Sequence, residues 1–214
     1  MPRKAARPRP TLVLLVRHGH TPTTGKLLPG RARGLHLSDT GQAQAKAVGE
    51  RLAALPSVAA IYASPLERTR ETAAAIAEAR NEKVVIDKGL LEVDIGDWTG
   101  QELAKVRRDP TWKAVQHYPS GFRFPGGESF VEMQARILTT LERLRAPHPG
   151  ETIIAVSHAD VIKAAVAHAL GAHLDLFQRT VISPCSVTAI AYGDGGPVVL
   201  SVNSVGELTS LKPS

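Results

Sequence analysis

Apolar residues recur along this chain in two rhythms. Leu12-Val13-Leu14-Leu15-Val16 is an unbroken aliphatic run of strand length, and such a run suits a strand buried on both faces of a parallel sheet. Ala59 to Ala63, Val84 to Ile86 and Thr152 to Val156 are shorter versions of the same pattern. Between them the spacing lengthens to three and four. Ala45, Val48, Leu52 and Leu55 follow the candidate caps Ser38 and Thr40, and Pro56 ends the pattern. A second helix is expected from Leu66 to about Ala79, with Pro65 in its first turn. Phe130, Met133, Ile137, Leu141 and Leu144 mark another, and Val161, Ile162, Ala165, Val166 and Leu170 the last. Val187 to Tyr192 and Val198 to Val202 flank Gly193-Asp194-Gly195-Gly196, a hairpin signal that makes the sheet mixed at one side. The alternation predicts one α/β domain.

Three of the apolar runs stop abruptly at polar residues. The first ends in Arg17-His18, the second in Ser64 with Arg68 a few residues on, and the fourth in Ser157-His158. In open α/β sheets, the carboxyl ends of strands form the ligand crevice. A histidine beside a permanently charged arginine suggests phosphate chemistry there. Arg68 adds a second argument: a cation in the first turn of a helix opposes the macrodipole, and a bound anion would relieve that.

Two loops and one irregular stretch carry further polar residues. Gly19 to Ser38 is long and polar, holding His20, Thr21, Thr24, Lys26, Arg31, Arg33 and His36. Its Gly19 to Leu27 portion imitates a nucleotide-binding loop, but the glycine spacing is one residue too long and Leu27 has no hydroxyl for magnesium. Gly89 to Gly100 is acidic and ringed with apolar residues. A carboxyl group in such surroundings keeps its proton more readily, as a general acid must near neutral pH, and Glu92 is the first candidate, with Asp94 or Asp97 as substitutes. Residues 101–125 are the least regular and read as an inserted lid or subdomain.

Composition narrows the function classes. A hydrophobic fraction of 43% and a mean hydropathy of -0.07 are ordinary for a soluble domain with a full core. No apolar run approaches the ~20 residues of a membrane-spanning helix, and the N-terminus lacks a signal-type segment, so a cytoplasmic protein with no membrane partner is expected. Cys185 is the only cysteine, which excludes an intramolecular disulfide. The net charge of +6 is concentrated at Arg3, Lys4, Arg7 and Arg9, leaving +2 for the rest. Residues 1–10 are therefore expected to be a disordered basic tail, and 11–214 a single domain with no nucleic-acid partner.

Together, Arg17-His18-Gly19, Ser64-x-Leu66-x-Arg68-Thr69-x-x-Thr72-Ala73, Leu91-Glu92, Gly96-x-Trp98-x-Gly100, Gly126-Gly127-Glu128-Ser129 and Ser157-His158 resemble, in this order, the histidine phosphatase superfamily with its phosphoglycerate-mutase-like fold. The resemblance covers roughly residues 12 to 205. It implies a three-layer α/β sandwich whose mixed, mostly parallel central sheet is flanked by helices. It also implies that His18 attacks phosphorus, that Arg17, Arg68 and His158 surround the phosphoryl group, and that Glu92 protonates the leaving oxygen and then activates water. No metal or other cofactor is required by this scheme. Two cations beside His18 would keep it a neutral imidazole for attack, whereas the phosphate dianion of the substrate would favour His158 as imidazolium.

Departures from the family pattern refine the expectation. Position 20 is His where members often carry Glu or Gln, and position 99 is Thr where many carry Glu. Thr24 stands where mutases commonly have Asn, and the segment between Gly100 and Gly126 is short for a mutase. Both favour a phosphatase acting on a small, acidic phosphorylated metabolite, with His20, Thr24 and Arg31 as candidate substrate contacts. A phosphoryl-transferring mutase and a non-catalytic phospho-ligand-binding protein are the alternatives. Oligomeric state, dimer included, is left open.

Overall fold

The computed structural model describes residues 9–206, so most of the basic tail expectation lies outside the described residues. The elements follow in the order β1 (Thr11–Arg17), α1 (Asp39–Ala53), β2 (Ala60–Ala63), α2 (Glu67–Arg80), β3 (Val84–Ile86), α3 (Leu103–Val106), α4 (Trp112–His117), α5 (Phe130–Arg145), β4 (Thr152–Ser157), α6 (Ala159–Ala169), β5 (Val187–Gly193) and β6 (Gly196–Ser204). The strands form a 6-stranded sheet in the order β3-β2-β4-β1-β5-β6. β1, β2, β3 and β4 run parallel, whereas β5 is antiparallel to both β1 and β6.

The aliphatic run of β1 shows why five consecutive apolar residues are needed. Successive strand side chains point to opposite faces. Val13 and Leu15 join Ile153, Ala155, Met133, Ile137 and Ile162 in one apolar cluster beneath α5 and α6. Leu12, Leu14 and Val16 join Ile154, Val48, Leu52, Ala73 and Ile76 in a second cluster beneath α1 and α2. Helices therefore cover both faces, giving the three-layer α/β sandwich.

Local chemistry sets the helix starts. The Ser38 hydroxyl caps α1 by accepting from Gly41 N, and Ser129 caps α5 in a reciprocal box with Glu132. Pro65 departs from the expectation. It lies before the helix, because Leu66 is still extended (φ -72°, ψ 145°) and α2 begins at Glu67. The Thr69 hydroxyl stabilises this entry by donating to both Ser64 O (2.9 Å) and Leu66 O (2.7 Å). Arg68 consequently remains in the first turn. The final hairpin is tighter than its sequence signal, since Gly193 pairs with Gly196 and only Asp194-Gly195 forms the turn.

The irregular stretch 101–125 contributes to the core of the sheet layer. Val106, Val115 and Phe124 belong to the same cluster as Val13 and Leu15. Trp98 stacks on Trp112 at 6.3 Å, and edge-to-face contacts continue from Phe124 to Phe130 (5.2 Å) and on to Phe177 (5.1 Å). Aromatic packing thus fastens α4 through Trp112, and the buried Val106 fastens α3.

Candidate active site

Parallel register gathers the polar strand ends. Arg17 of β1 lies opposite Ser157 of β4, and Ala63 of β2 opposite Val156. Ser64 and His158 follow immediately, so Arg17, His18, Ser64 and His158 share one edge of the sheet. Arg68 comes to the same place from the start of α2. The His18 and His158 rings meet edge to face with centroids 5.3 Å apart.

His18 is buried, and its Nδ1 lies 2.8 Å from Gly19 O. A carbonyl accepts only, so Nδ1 carries the proton and Nε2 keeps its lone pair. Burial first, then Arg68 and Arg17, hold this imidazole well below the ordinary histidine range. A neutral ring with a free Nε2 is a competent nucleophile. Gly19 is itself held by Thr72, whose hydroxyl accepts from Gly19 N (3.0 Å) and donates to Arg68 O (2.8 Å).

Arg68 is a buried cation and Arg17 a partly buried one, both with donors to spare. Arg68 is 1% exposed; Nη2 donates to Gly30 O at 2.8 Å, while Nε and Nη1 have no hydrogen-bond partner. Arg17 donates through Nη1 to Ile182 O at 2.6 Å and leaves Nε without a partner. His158 is fully buried, with Nε2 2.9 Å from Ser64 Oγ and Nδ1 without a partner. Buried polar atoms are ordinarily hydrogen-bonded. Here four donors or potential donors on three converging side chains are unmatched, a set that suits a small tetrahedral oxyanion.

The imidazolium expected of His158 depends on a bound phosphate dianion, and the protein's own groups work against it. Burial, Arg68, His18, Arg136 and Arg17, in that order, push its pKa well below the ordinary value, so the protein by itself holds this ring neutral as well. The reason is geometric: a fully buried ring between cations has no carboxylate to compensate its charge.

Glu92 carries the opposite shift. Burial, and then the negative charge of Asp160, raise its pKa to about 7 against the pull of Val93 N, Arg68 and Arg17. It can therefore hold a proton near neutrality and release it. The two substitute carboxylates are differently occupied. Asp94 accepts from Gly96 N and pairs with Arg31, and Asp97 is exposed.

The candidate substrate contacts are largely engaged within the loop. Arg31 uses Nε on Glu92 O (2.8 Å), Nη1 on Asp94 (3.3 Å) and Nη2 on Glu128 (3.0 Å). Thr24 Oγ1 accepts from Thr21 N at 3.0 Å, and His20 Nδ1 pairs with Ser38 Oγ at 2.9 Å. Lys26 and Arg33 are exposed.

Residues the sequence reading did not single out complete the surroundings. Glu128 and Arg136 form a two-pronged ion pair (2.8 and 2.9 Å), and Arg136 Nη1 donates to Gly89 O (2.7 Å) and Leu91 O (2.8 Å). Arg136 Nη2 also reaches Glu92 O at 3.4 Å. The only sequence signal was the Gly126-Gly127-Glu128-Ser129 motif, which marked Glu128 without its role. Gly30 supplies the carbonyl for Arg68 in a left-handed conformation (φ +45°), and a Cβ there would lie 2.6 Å from Ile95 Cγ1.

Residues 13–205 match the histidine phosphatase superfamily, branch 1, and the chain belongs to that family. Among curated relatives, a bifunctional protein of Mycobacterium tuberculosis is 33% identical over 205 residues, covering 95% of this chain but 56% of its own length. The chain thus spans little more than half of that relative. Phosphoserine phosphatase 1 of Hydrogenobacter thermophilus is 31% identical over 204 residues, covering 89% of this chain and 91% of the relative. Among solved structures, the mycobacterial glucosyl-3-phosphoglycerate phosphatase superposes with a TM-score of 0.82 at 25% identity, covering 92% of this chain and all (100%) of that one. The phosphoserine phosphatase of Entamoeba histolytica bound to phosphoserine gives 0.81 at 26% identity, with coverage of 91% and 97%. No helix among the described residues is long and apolar enough to cross a membrane.

Proposed function

We propose that this protein is a phosphatase that hydrolyses a small phosphate monoester through a phosphohistidine on His18, without a metal ion or cofactor. The observation that carries the reading is the set of unmatched donors of Arg17, Arg68 and His158 beside a neutral His18 whose Nε2 is free.

The monoester dianion sits against the two guanidinium groups, which neutralise it and hold its oxygens by charge-assisted hydrogen bonds. His18 Nε2 attacks phosphorus in line, and the bond from phosphorus to the ester oxygen breaks. Glu92, protonated up to a pKa of about 7, gives its proton to the departing oxygen. A water molecule then attacks the phosphohistidine, Glu92 takes its proton, and inorganic phosphate leaves with His18 restored. Phosphatase relatives that cover most of both chains support hydrolysis over transfer. The substrates those relatives are named for, phosphoserine and glucosyl-3-phosphoglycerate, make a small acidic phosphorylated metabolite the class to test.

Rapid-quench trapping with a panel of phosphorylated metabolites tests this. Acid-labile, alkali-stable phosphate on wild type, its absence in His18→Ala, and release of inorganic phosphate are expected. Isomerised substrate without free phosphate would instead identify a mutase, and neither label nor product across the panel would leave a phospho-ligand-binding protein.

A further inference from the structure

The Ser64 hydroxyl lies 2.9 Å from His158 Nε2 and has no other hydrogen-bond partner among the described residues. Both residues are fully buried (0% exposed), so no solvent can satisfy whichever proton or lone pair this contact leaves over. Two assignments are available. If the ring donates from Nε2 to Ser64 Oγ, the hydroxyl proton has no acceptor and the bare Nδ1 lone pair is left without a donor. If the hydroxyl donates to Nε2, its proton is satisfied and Nδ1 carries the ring's proton. The second assignment leaves one N–H donor unmatched, and that donor is the His158 atom already found without a partner beside Arg68 and His18.

The backbone holds Ser64 for this contact from both sides. Its N–H donates to Val156 O (3.0 Å) across the β2–β4 pairing, and its carbonyl accepts the Thr69 hydroxyl (2.9 Å) from α2. The hydroxyl is thereby aimed at the residue that follows β4. We propose that Ser64 is a positioning residue that donates to His158 Nε2 and so selects the neutral tautomer whose Nδ1–H points at the phosphoryl oxygens. This rests on the proposed phosphatase reading, in which His158 faces the transferring group.

The consequence is a division of labour by tautomer between two neutral imidazoles. Gly19 O accepts from Nδ1–H of His18 and leaves its Nε2 free to attack, whereas Ser64 occupies Nε2 of His158 and makes its Nδ1 a donor. The opposite tautomer of His158 would present a lone pair to an anion. Burial and the surrounding cations disfavour the charged ring before substrate arrives, so the tautomer decides whether an incoming phosphate first meets a donor or a lone pair.

Long-range proton–nitrogen NMR on nitrogen-15 histidine-labelled protein, with His158 assigned through His158→Gln, reads the tautomer directly. Wild type without substrate is expected to show His158 protonated at Nδ1 and bare at Nε2. Ser64→Ala is expected to lose that preference and about 10- to 100-fold in kcat/KM, the range known for groups that orient metal-bound histidines. Ser64→Thr, which keeps the donor, should restore both. A wild-type ring protonated at Nε2, an unchanged tautomer in Ser64→Ala, or unchanged turnover with a shifted tautomer would overturn the proposal. Should Ser64→Ala not fold, the wild-type spectrum decides. The spectra need no turnover, so they stand apart from the trapping experiment on His18.

Discussion

Arg31 donates from Nε to the main-chain carbonyl of Glu92 at 2.8 Å, and the carbonyl of the residue before it, Gly30, accepts from Arg68 at 2.8 Å. One dipeptide in the polar loop after β1 therefore steadies both the arginine at the start of α2 and the acidic loop after β3. Glu128 and Arg136 close the arrangement from α5, because Arg136 reaches the carbonyls of Gly89, Leu91 and Glu92.

Arg31→Ala is accordingly expected to lower kcat by about 10- to 100-fold with a smaller rise in KM. Glu128→Gln, which keeps the shape but weakens both ion pairs, should move kcat in the same direction. A substrate-contacting Arg31 would give the reverse pattern, a large KM effect at nearly constant kcat, in steady-state assays.

In the proposed mechanism the carboxyl group of Glu92 is expected to set an alkaline limit. With its pKa raised to about 7, kcat/KM for an alkyl phosphate should fall as pH rises through that value, since the leaving alkoxide then finds no proton. An aryl phosphate, whose leaving group is stable as an anion, should lack this limb. Profiles of the two substrates that share one alkaline limb would remove Glu92 from the role of acid.

The same shift has a thermodynamic sign. The folded-state pKa lies above the unfolded value, so wild type loses stability as pH rises from about 4.5 to about 7 and stays lower beyond it. Glu92→Gln, which cannot ionise, should equal wild type near pH 4 and exceed it by up to about 3 kcal/mol at pH 8, while losing activity. Denaturant titrations of both proteins at several pH values measure the gap.

The buried histidines act in the opposite direction. Their folded-state pKa values are held down, so the unfolded chain binds protons first and stability should decline as pH falls below about 6.5. His18→Gln should flatten part of that decline in thermal scans between pH 7 and pH 5.

Arg68 combines burial, unmatched donors and an unfavourable place in the helix field. Arg68→Met should be at least as stable as wild type in phosphate-free buffer and lose catalysis by about 100-fold or more. Inorganic phosphate should raise the wild-type melting temperature but leave that of Arg68→Met unchanged.

Much of this was legible from local rules. Strand and helix periodicity, the Ser38 cap and the two-sided burial of β1 depend on neighbouring residues, and the motifs around His18, Arg68, Glu92 and His158 follow one another in chain order. Parallel strands then bring their carboxyl ends together, so the sequence by itself gathered Arg17, His18, Arg68 and His158 at one sheet edge. What each does there was decided by contacts between distant segments. Arg31 and Glu92 are 61 residues apart, and Ser64 and His158 are 94 apart. No periodicity encodes which donor meets which carbonyl across such separations. The charge state of His158 belongs with them, because only the packed site reveals that Arg68, Arg17 and Arg136 surround a ring with no carboxylate to balance it. Desolvation and hydrogen-bond pairing are properties of the closed space between segments, and only the tertiary structure creates that space.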